Sequence, residues 1–449
     1  MLGGLKHPRL TDYFGNWSID HSLGIWYEPG GKPKLIFPRL PYNGRRIVTS
    51  GNDAWLPLEG VKIADFTQVI AGPTCSMLLA DMGADVIKIE PLTGDFWRRT
   101  TGGSAFFNFN RNKRGIALNL KAPEGYGAVM KIIERCDVVL ENFSAGTMDK
   151  LKLGYETISR LYPKIIYCSI SGFGQQGPYS ERGGYDPVAQ AMSGIMLNTG
   201  MPEGPPVRVL PTMVDYLSGN HMAYAIALAL LDRQKTGKGK RFDIALWDVA
   251  IMQMGQFVTM HSMTGELPQR MGSGYLAAAP YQAFETKDGY ALVAVMTDDM
   301  WKSLCQALKL DHLFKNPRYA TLAGRCQSRS ELAVEVTKAT KQYGSKELET
   351  LLVAANVPCG RLMQIDQIIQ DPHVQQRKII AEIEDSQKKK VKLIRTPIFT
   401  SGEAPQIRRR PPLIGEHTSE ILQEVGYSQE EINKMLDKGI AIQAKASPE

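Results

Sequence analysis

What most constrains this chain is a stretch near residue 60, where a strand, a helix and a second strand follow one another within about thirty residues. Residues 61–66 form a short apolar run. Ala71-Gly72-Pro73 then opens a helix carrying Met77, Leu78, Leu79 and Met82, with proline where a first turn tolerates it. Residues 85–90 read as the next strand. A strand returned by a helix to a neighbouring strand is a βαβ unit, and such units build parallel sheets.

The pattern repeats. A helix over 124–135 feeds a strand at 137–140, and a helix over 155–161 feeds a strand at 164–169. A long apolar helix from about 218 to 233 stops at the glycine turn of 235–239, before a strand at 242–246. No internal repeat of fixed period is present. After about residue 270 the character changes. Residues 281–284 and 290–295, joined by Lys287-Asp288-Gly289, read as an antiparallel hairpin, and amphipathic helices follow to about 355. The 449 residues exceed one ordinary core. The expected fold is α/β, with a large Rossmann-like parallel-sheet domain (56–270) and a small α+β domain (271–356). An N-terminal extension (1–55) precedes them, and a C-terminal segment (357–449) rejoins the large domain.

Several function classes find no support. The formal charge of +7 is spread along the chain, and its tightest clusters, Lys388-Lys389-Lys390 and Arg408-Arg409-Arg410, read as solvated loop faces without a nucleic-acid-binding signature. No apolar run reaches the roughly 18 residues that span a bilayer, so no membrane is expected as a partner. Six cysteines lie far apart without a C-x-x-C pair, which fits buried thiols in a reducing compartment. Seven histidines form no H-E-x-x-H pair, and no metal is expected. The first 55 residues lack the apolar core of a secretory signal, and their acids fit a mitochondrial presequence badly. The expected location is intracellular, in the cytoplasm or the mitochondrial matrix.

Two glycine motifs invite nucleotide readings. Residues 172–177 match G-x-G-x-x-G after a strand, but Pro178 and the polar residues beyond it do not continue the helix a dinucleotide site needs, so a substrate loop is the better reading. Gly237-Lys238-Gly239-Lys240 lies between helix and strand, the reverse of a Walker loop, and reads as a helix-terminating turn. No G-x-S-x-G elbow supports hydrolase chemistry. There remains Asp215, at the start of the long apolar helix. On spacing alone it reads first as an N-terminal cap, while the helix-end field would also permit an ionised nucleophile there.

Taken together, several stretches resemble the class III CoA-transferases, the family of formyl-CoA:oxalate and carnitine CoA-transferases. They are residues 64–73, Gly83 to Glu90, Asn110-Arg111-Asn112-Lys113-Arg114, 139–143, Gly184 to Gln190, and Pro412 to Thr418, in the family's order. The resemblance implies that Asp215 is the covalent nucleophile, forming first an anhydride with the donor acyl group and then an aspartyl-CoA thioester. It implies that coenzyme A is a substrate, with no tightly bound cofactor, and that CoA is contacted by Gln68, Ala71, Leu118, Asn119, Leu120, Lys121, Asn142 and Phe143. Lys121 would serve a phosphate, and Lys150 stands where the oxalate enzyme has arginine, keeping charge without the bidentate fork. Tyr185 and Asp186 complete the implied set. Gly272 and Gly274 match the family's glycine loop, whose N–H groups face developing negative charge.

Pro91, Gly183 and Asp186 depart from the oxalate enzyme's residues, so oxalate is not the expected acid. The Gly-Tyr-Asp-Pro-Val segment looks closer to the succinate–hydroxymethylglutarate CoA-transferases, which implies acyl-CoA and dicarboxylic acids as small-molecule partners. The family's interlocked homodimer is implied as well. A related 2-methylacyl-CoA racemase is the alternative enzyme, but it pairs its aspartate with a histidine as second base where this chain has Tyr185. A non-catalytic CoA-binding protein is the alternative of another class.

Overall fold

In the computed structural model of the protein, the described residues are 18–20, 25–27, 33–34, 55–400 and 404–444. The chain divides into two units, Met1–Asp53 and Ala54–Glu449. In the first, Ser18–Asp20, Ile25–Tyr27 and Pro33–Lys34 pair antiparallel; the rest of the expected extension over 1–55 lies outside the described residues, apart from Trp55.

The second unit is built around a seven-stranded sheet. In chain order its elements are β1 (Lys62–Asp65), α1 (Ala71–Asp81), β2 (Asp85–Glu90), β3 (Lys113–Leu118), α2 (Pro123–Glu134), β4 (Val138–Glu141), β5 (Ile166–Ser171), α3 (Asp186–Met192), α4 (Met213–Thr236) and β6 (Arg241–Ala245). Next come α5 (Leu246–Gln253) and α6 (Gly255–Thr264). A small antiparallel sheet follows, made of β7 (Tyr281–Glu285), β8 (Tyr290–Ala294) and β9 (Cys359–Arg361). A separate hairpin joins β10 (Ile380–Glu384) to β11 (Lys390–Ile394). The last strand, β12 (Ala441–Ile442), returns to the large sheet antiparallel to β3.

The large sheet runs β12-β3-β2-β1-β4-β5-β6, and β1 to β6 are mutually parallel. Strands β1 to β5 are buried on both faces, whereas the edge strand β6 exposes Arg241 and Asp243. Alternate side chains serve opposite cores. Ala64 and Ile87 join Ile132 and Ile133 of α2 on one side, while Ile63 and Val86 join Leu79 of α1 and Met222 of α4 on the other. A third core, around Phe284, Trp301 and Leu332, fills the small sheet's helical cover. The α/β expectation, with a large parallel sheet and smaller antiparallel ones, is borne out.

The Asn110-Arg111-Asn112-Lys113-Arg114 stretch proves to be a set of buried clamps. Lys113 is wholly buried and bonds Asp65 at 3.1 Å, Ser76 at 2.7 Å and Asn110 at 2.9 Å. Burial draws its ammonium down to about 8, although the Asp65 carboxylate works in the other direction. Arg111 grips Asp81 at the end of α1, and Arg114 reaches Asp85 together with Glu420 and Glu424 near the C-terminus. In the Arg408–Arg410 cluster, Arg408 and Arg409 are exposed, as expected of a solvated face. Arg408 donates to the Ala80 carbonyl at 2.6 Å, and Arg410 pairs with Glu416 at 2.7 Å.

Candidate active site

The strand order places a topological switch between β1 and β4. Successive connections lead away in opposite directions there, and the loops leaving the carboxyl ends of the two strands diverge into a crevice. A cavity of about 250 Å³ occupies that crevice. Its walls are residues 68–71 after β1, 142–145 after β4, and the segments 170–172 and 182–185 from β5 onward, with Asp215 of α4 exposed to it.

The geometry removes one of the two readings of Asp215, that of a cap. The cap of α4 is supplied from another helix: Asp186 Oδ2 accepts the Val214 N–H at 2.8 Å and the Asp215 N–H at 3.4 Å, while Oδ1 accepts from Gln190 Nε2 at 2.7 Å. Asp215 is therefore not the capping group, and its carboxyl faces the cavity. Burial, and secondarily the Asp186 carboxylate, raise it to about 7. The expectation that the helix-end field keeps Asp215 ionised is thus corrected. Near neutral pH the group is balanced between its two forms.

Helix α4 buries Val214, Ser218, Met222 and Ile226 along one stripe, at the four-residue spacing of a helical face. Gly219 lets its first turns approach α1. A Cβ there would lie 2.6 Å from the Ala71 carbonyl oxygen and 2.7 Å from Thr74 Cβ. Gly219→Ala is expected to destabilise the fold by about 1–3 kcal/mol through overpacking and to lower activity by displacing Asp215. Urea midpoints and kcat/KM measured side by side check this; unchanged values for both would contradict it.

A match to the family model described as CoA-transferase family III spans residues 58–418. The chain belongs to CoA-transferase family III. Human succinyl-CoA:glutarate CoA-transferase is 36% identical over 399 residues, covering 86% of this chain and 90% of that protein. Succinyl-CoA:mesaconate CoA-transferase of Haloarcula marismortui is 36% identical over 384 residues, covering 82% of this chain and 96% of that one. Among solved structures, a CAIB/BAIF family protein from Brucella suis is similar, with a TM-score of 0.75 and 34% identity over 82% of this chain and 99% of that one. This class III CoA-transferase is the enzyme type that the sequence motifs implied.

The CoA-transferase's expected CoA-contacting residues do not all occupy one place. Gln68, Ala71, Asn142, Phe143 and Tyr185 line the cavity with Asp215. Asn142 is largely engaged: its Oδ1 accepts the Gln68 N–H at 2.8 Å and its Nδ2 donates to the Gln68 carbonyl at 2.7 Å. It stitches the loops of β1 and β4 together across the switch point. Below them Asp65 accepts from Thr67 N and Oγ1, and Lys88 Nζ donates to the Thr67 carbonyl at 2.8 Å. That lattice holds Val69 at φ 69°, a left-handed setting costly for a β-branched residue and found where a site is over-determined.

Leu118, Asn119, Leu120 and Lys121 lie outside the cavity wall, at the carboxyl end of β3 and just beyond it. Leu118 is buried in the core and has only its backbone to offer. Leu120 packs against the same core, and Asn119 Oδ1 accepts the Lys121 N–H. Lys121 and Lys150 are exposed, each on the carboxyl side of the sheet. Asp186 is almost wholly buried, caps the first turn of α4 and does not line the cavity. The N–H groups of Gly272 and Gly274 donate to the carbonyls of Gly200 and Met271 at 2.9 and 2.8 Å, so in this conformation they are not free for an oxyanion.

Several wall residues were not expected from the sequence, and two of them are polar residues of one loop. Ser180 and Arg182 belong to the loop leaving β5, whose G-x-G-x-x-G lettering drew attention to its glycines instead. The available signal was a cation set within Gly, Ser and Tyr residues just before Gly183-Gly184.

Proposed function

We propose that this CoA-transferase exchanges CoA between succinyl-CoA and a dicarboxylic acid, with Asp215 as the covalent nucleophile. The observation that carries the reading is the Asp215 carboxyl, uncommitted to the fold and exposed to the cavity at the switch point. The substrate class draws support from the human and Haloarcula relatives, whose names pair succinyl-CoA with glutarate and mesaconate.

An Asp215 oxygen attacks the thioester carbon; the C–S bond breaks, CoA leaves as thiolate and a mixed anhydride forms. The thiolate then attacks the aspartyl carbonyl carbon, its C–O bond breaks, and the donor acid departs from an aspartyl-CoA thioester. The acceptor carboxylate runs both steps in reverse. Two displacements replace one difficult exchange. No side chain caps the first turn of α1, so the Ala71 N–H group at the cavity edge is suited to the oxyanions that form. Gln68, Phe143 and Tyr185 would flank the CoA arm, and Asn142 would hold Gln68 in place. Lys121 and Lys150, with the backbone at 118–120, would serve the phosphates. Gly272 and Gly274 would contribute only after the loop releases their N–H groups.

Since a raised Asp215 loses its attacking form as pH falls, single-turnover CoA loading is expected to rise with pH with a midpoint of about 7. Asp186→Asn, by removing the like charge, moves that midpoint to lower pH. A flat profile between about pH 6 and 8 would contradict the assignment.

A homodimer accords with the outer surface. Helix α4 exposes Tyr224, Leu228 and Leu231 opposite its core stripe, and α6 buries none of its residues while exposing Val258 and Met263. Apolar faces of that extent call for a partner, and a second copy would cover them. The cysteines are free and three of them buried, which accords with a reducing compartment such as cytoplasm or mitochondrial matrix.

A further inference from the structure

Among the side chains of the cavity wall there is one anion, Asp215, and one cation, Arg182. We propose that the Arg182 guanidinium binds the carboxylate of the substrate that does not react, and thereby selects dicarboxylic over monocarboxylic acyl groups. The inference deepens the function proposed above and rests on it.

The chemistry demands such a group. Through thioester and anhydride stages the reacting carboxyl is uncharged, whereas the far carboxylate of a dicarboxylate stays ionised throughout. Taken into a cavity beside Asp215 without a counter-charge, it would lose hydration and meet a like charge. Arginine is the side chain best shaped to answer this, because its planar fork matches a carboxylate edge.

The structure holds that fork ready. Arg182 lies 4.0 Å over the Tyr179 ring, and Tyr179 packs edge-on against Phe173 at 5.8 Å and tilted against Trp247 at 5.7 Å. Phe173 and Trp247 also meet, at 5.9 Å, closing a three-ring platform. The loop is anchored at both ends: Trp247 N–H donates to the Gly172 carbonyl at 3.1 Å, Gln175 N–H to Asp243 at 2.8 Å, and Arg182 N–H to the Tyr179 carbonyl at 2.9 Å. At Gly172 and Gly184 two backbones touch; a Cβ on Gly172 would lie 2.6 Å from Gly184 Cα. Stacking on a ring leaves the guanidinium edges open, and Arg182 forms no ion pair with a carboxylate among the described residues. The glycine motif that resembled a dinucleotide loop therefore serves to aim a cation.

Half-reactions test this with the full chain. Transfer of labelled CoA to the protein is followed in single turnovers from succinyl-CoA and from butyryl-CoA, in wild type, Arg182→Gln and Arg182→Lys. Arg182→Gln is expected to slow loading from succinyl-CoA by ~30-fold and leave loading from butyryl-CoA within ~3-fold of wild type, with Arg182→Lys between. Equal slowing with both donors, as for a residue that anchors CoA or shapes the fold, overturns the proposal; so does an unchanged succinyl-CoA rate. Wild type that loads from neither donor overturns the covalent reading itself, a result distinct from any effect of Arg182.

Discussion

Replacing Asp215 by alanine is expected to reduce CoA transfer by a factor on the order of 10³ or more while leaving CoA binding in place. The side chain holds no part of the fold: the hydrogen bonds of the first turn of α4 end on Asp186, and Asp215 contributes only its backbone to them. A small residue at that position therefore keeps the cavity while removing the oxygen proposed to bond to the acyl group. The variant should show a denaturation midpoint at or slightly above that of wild type, because a buried carboxyl next to Asp186 is gone. Steady-state exchange, calorimetric CoA binding and thermal melting on one preparation separate these effects. A loss of less than ~10-fold with CoA binding intact would mean another group carries the chemistry.

The largest effect on stability is expected at Arg111. Its guanidinium and the Asp81 carboxylate are both 2% exposed, and the pair is tied by Nη2 at 2.6 Å and Nε at 3.1 Å. Breaking a buried pair leaves a charge that neither water nor a partner can reach, which costs about 3–5 kcal/mol. Here Asn112 and Thr396 still donate to Asp81, at 2.7 and 2.6 Å, so Arg111→Ala should fall toward the lower end. Arg111→Lys keeps the charge without the fork and should cost less. Urea unfolding checks both, and a change below ~1 kcal/mol for Arg111→Ala would show that the clamp carries little.

The core of the fold was legible because its strands are buried on both sides and its helices follow them in step. Residues 85–90 were read as a strand with the bounds they have in the structure, and the hairpin after 280 was found from its Asp-Gly turn. Strand β3 does not read as one, because it opens on Lys113 and Arg114 and leaves only Ile116 to Leu118 as an apolar run; the partners of the two cations, Asp65 and Asp85, lie far away in sequence. The start of α4 was placed near 218 instead of Met213 for a similar reason. Its cap is Asp186, almost thirty residues upstream, and the local candidate, Asp215, lies inside the first turn. Strand β9 joins the small sheet although the segment from 357 was expected to return wholly to the large one.

At the site the division follows the same physics. A residue type in a sequence states what a side chain can do, and only its neighbours settle which of those things it does. Asp215 and Asp186 are both acids at helix starts. One is bound up in three hydrogen bonds to the fold, and the other is left to face a cavity. Asn142 was read as a ligand contact, yet both ends of its amide go to Gln68.

The most direct test is chemical capture of the acylated side chain in the wild-type protein. Incubation with succinyl-CoA, followed by borohydride or hydroxylamine and peptide mass spectrometry, should find Asp215 converted to homoserine or to its hydroxamate. A protein that exchanges CoA at full rate under those conditions, with the Asp215 peptide recovered unmodified, would contradict a covalent route through this residue.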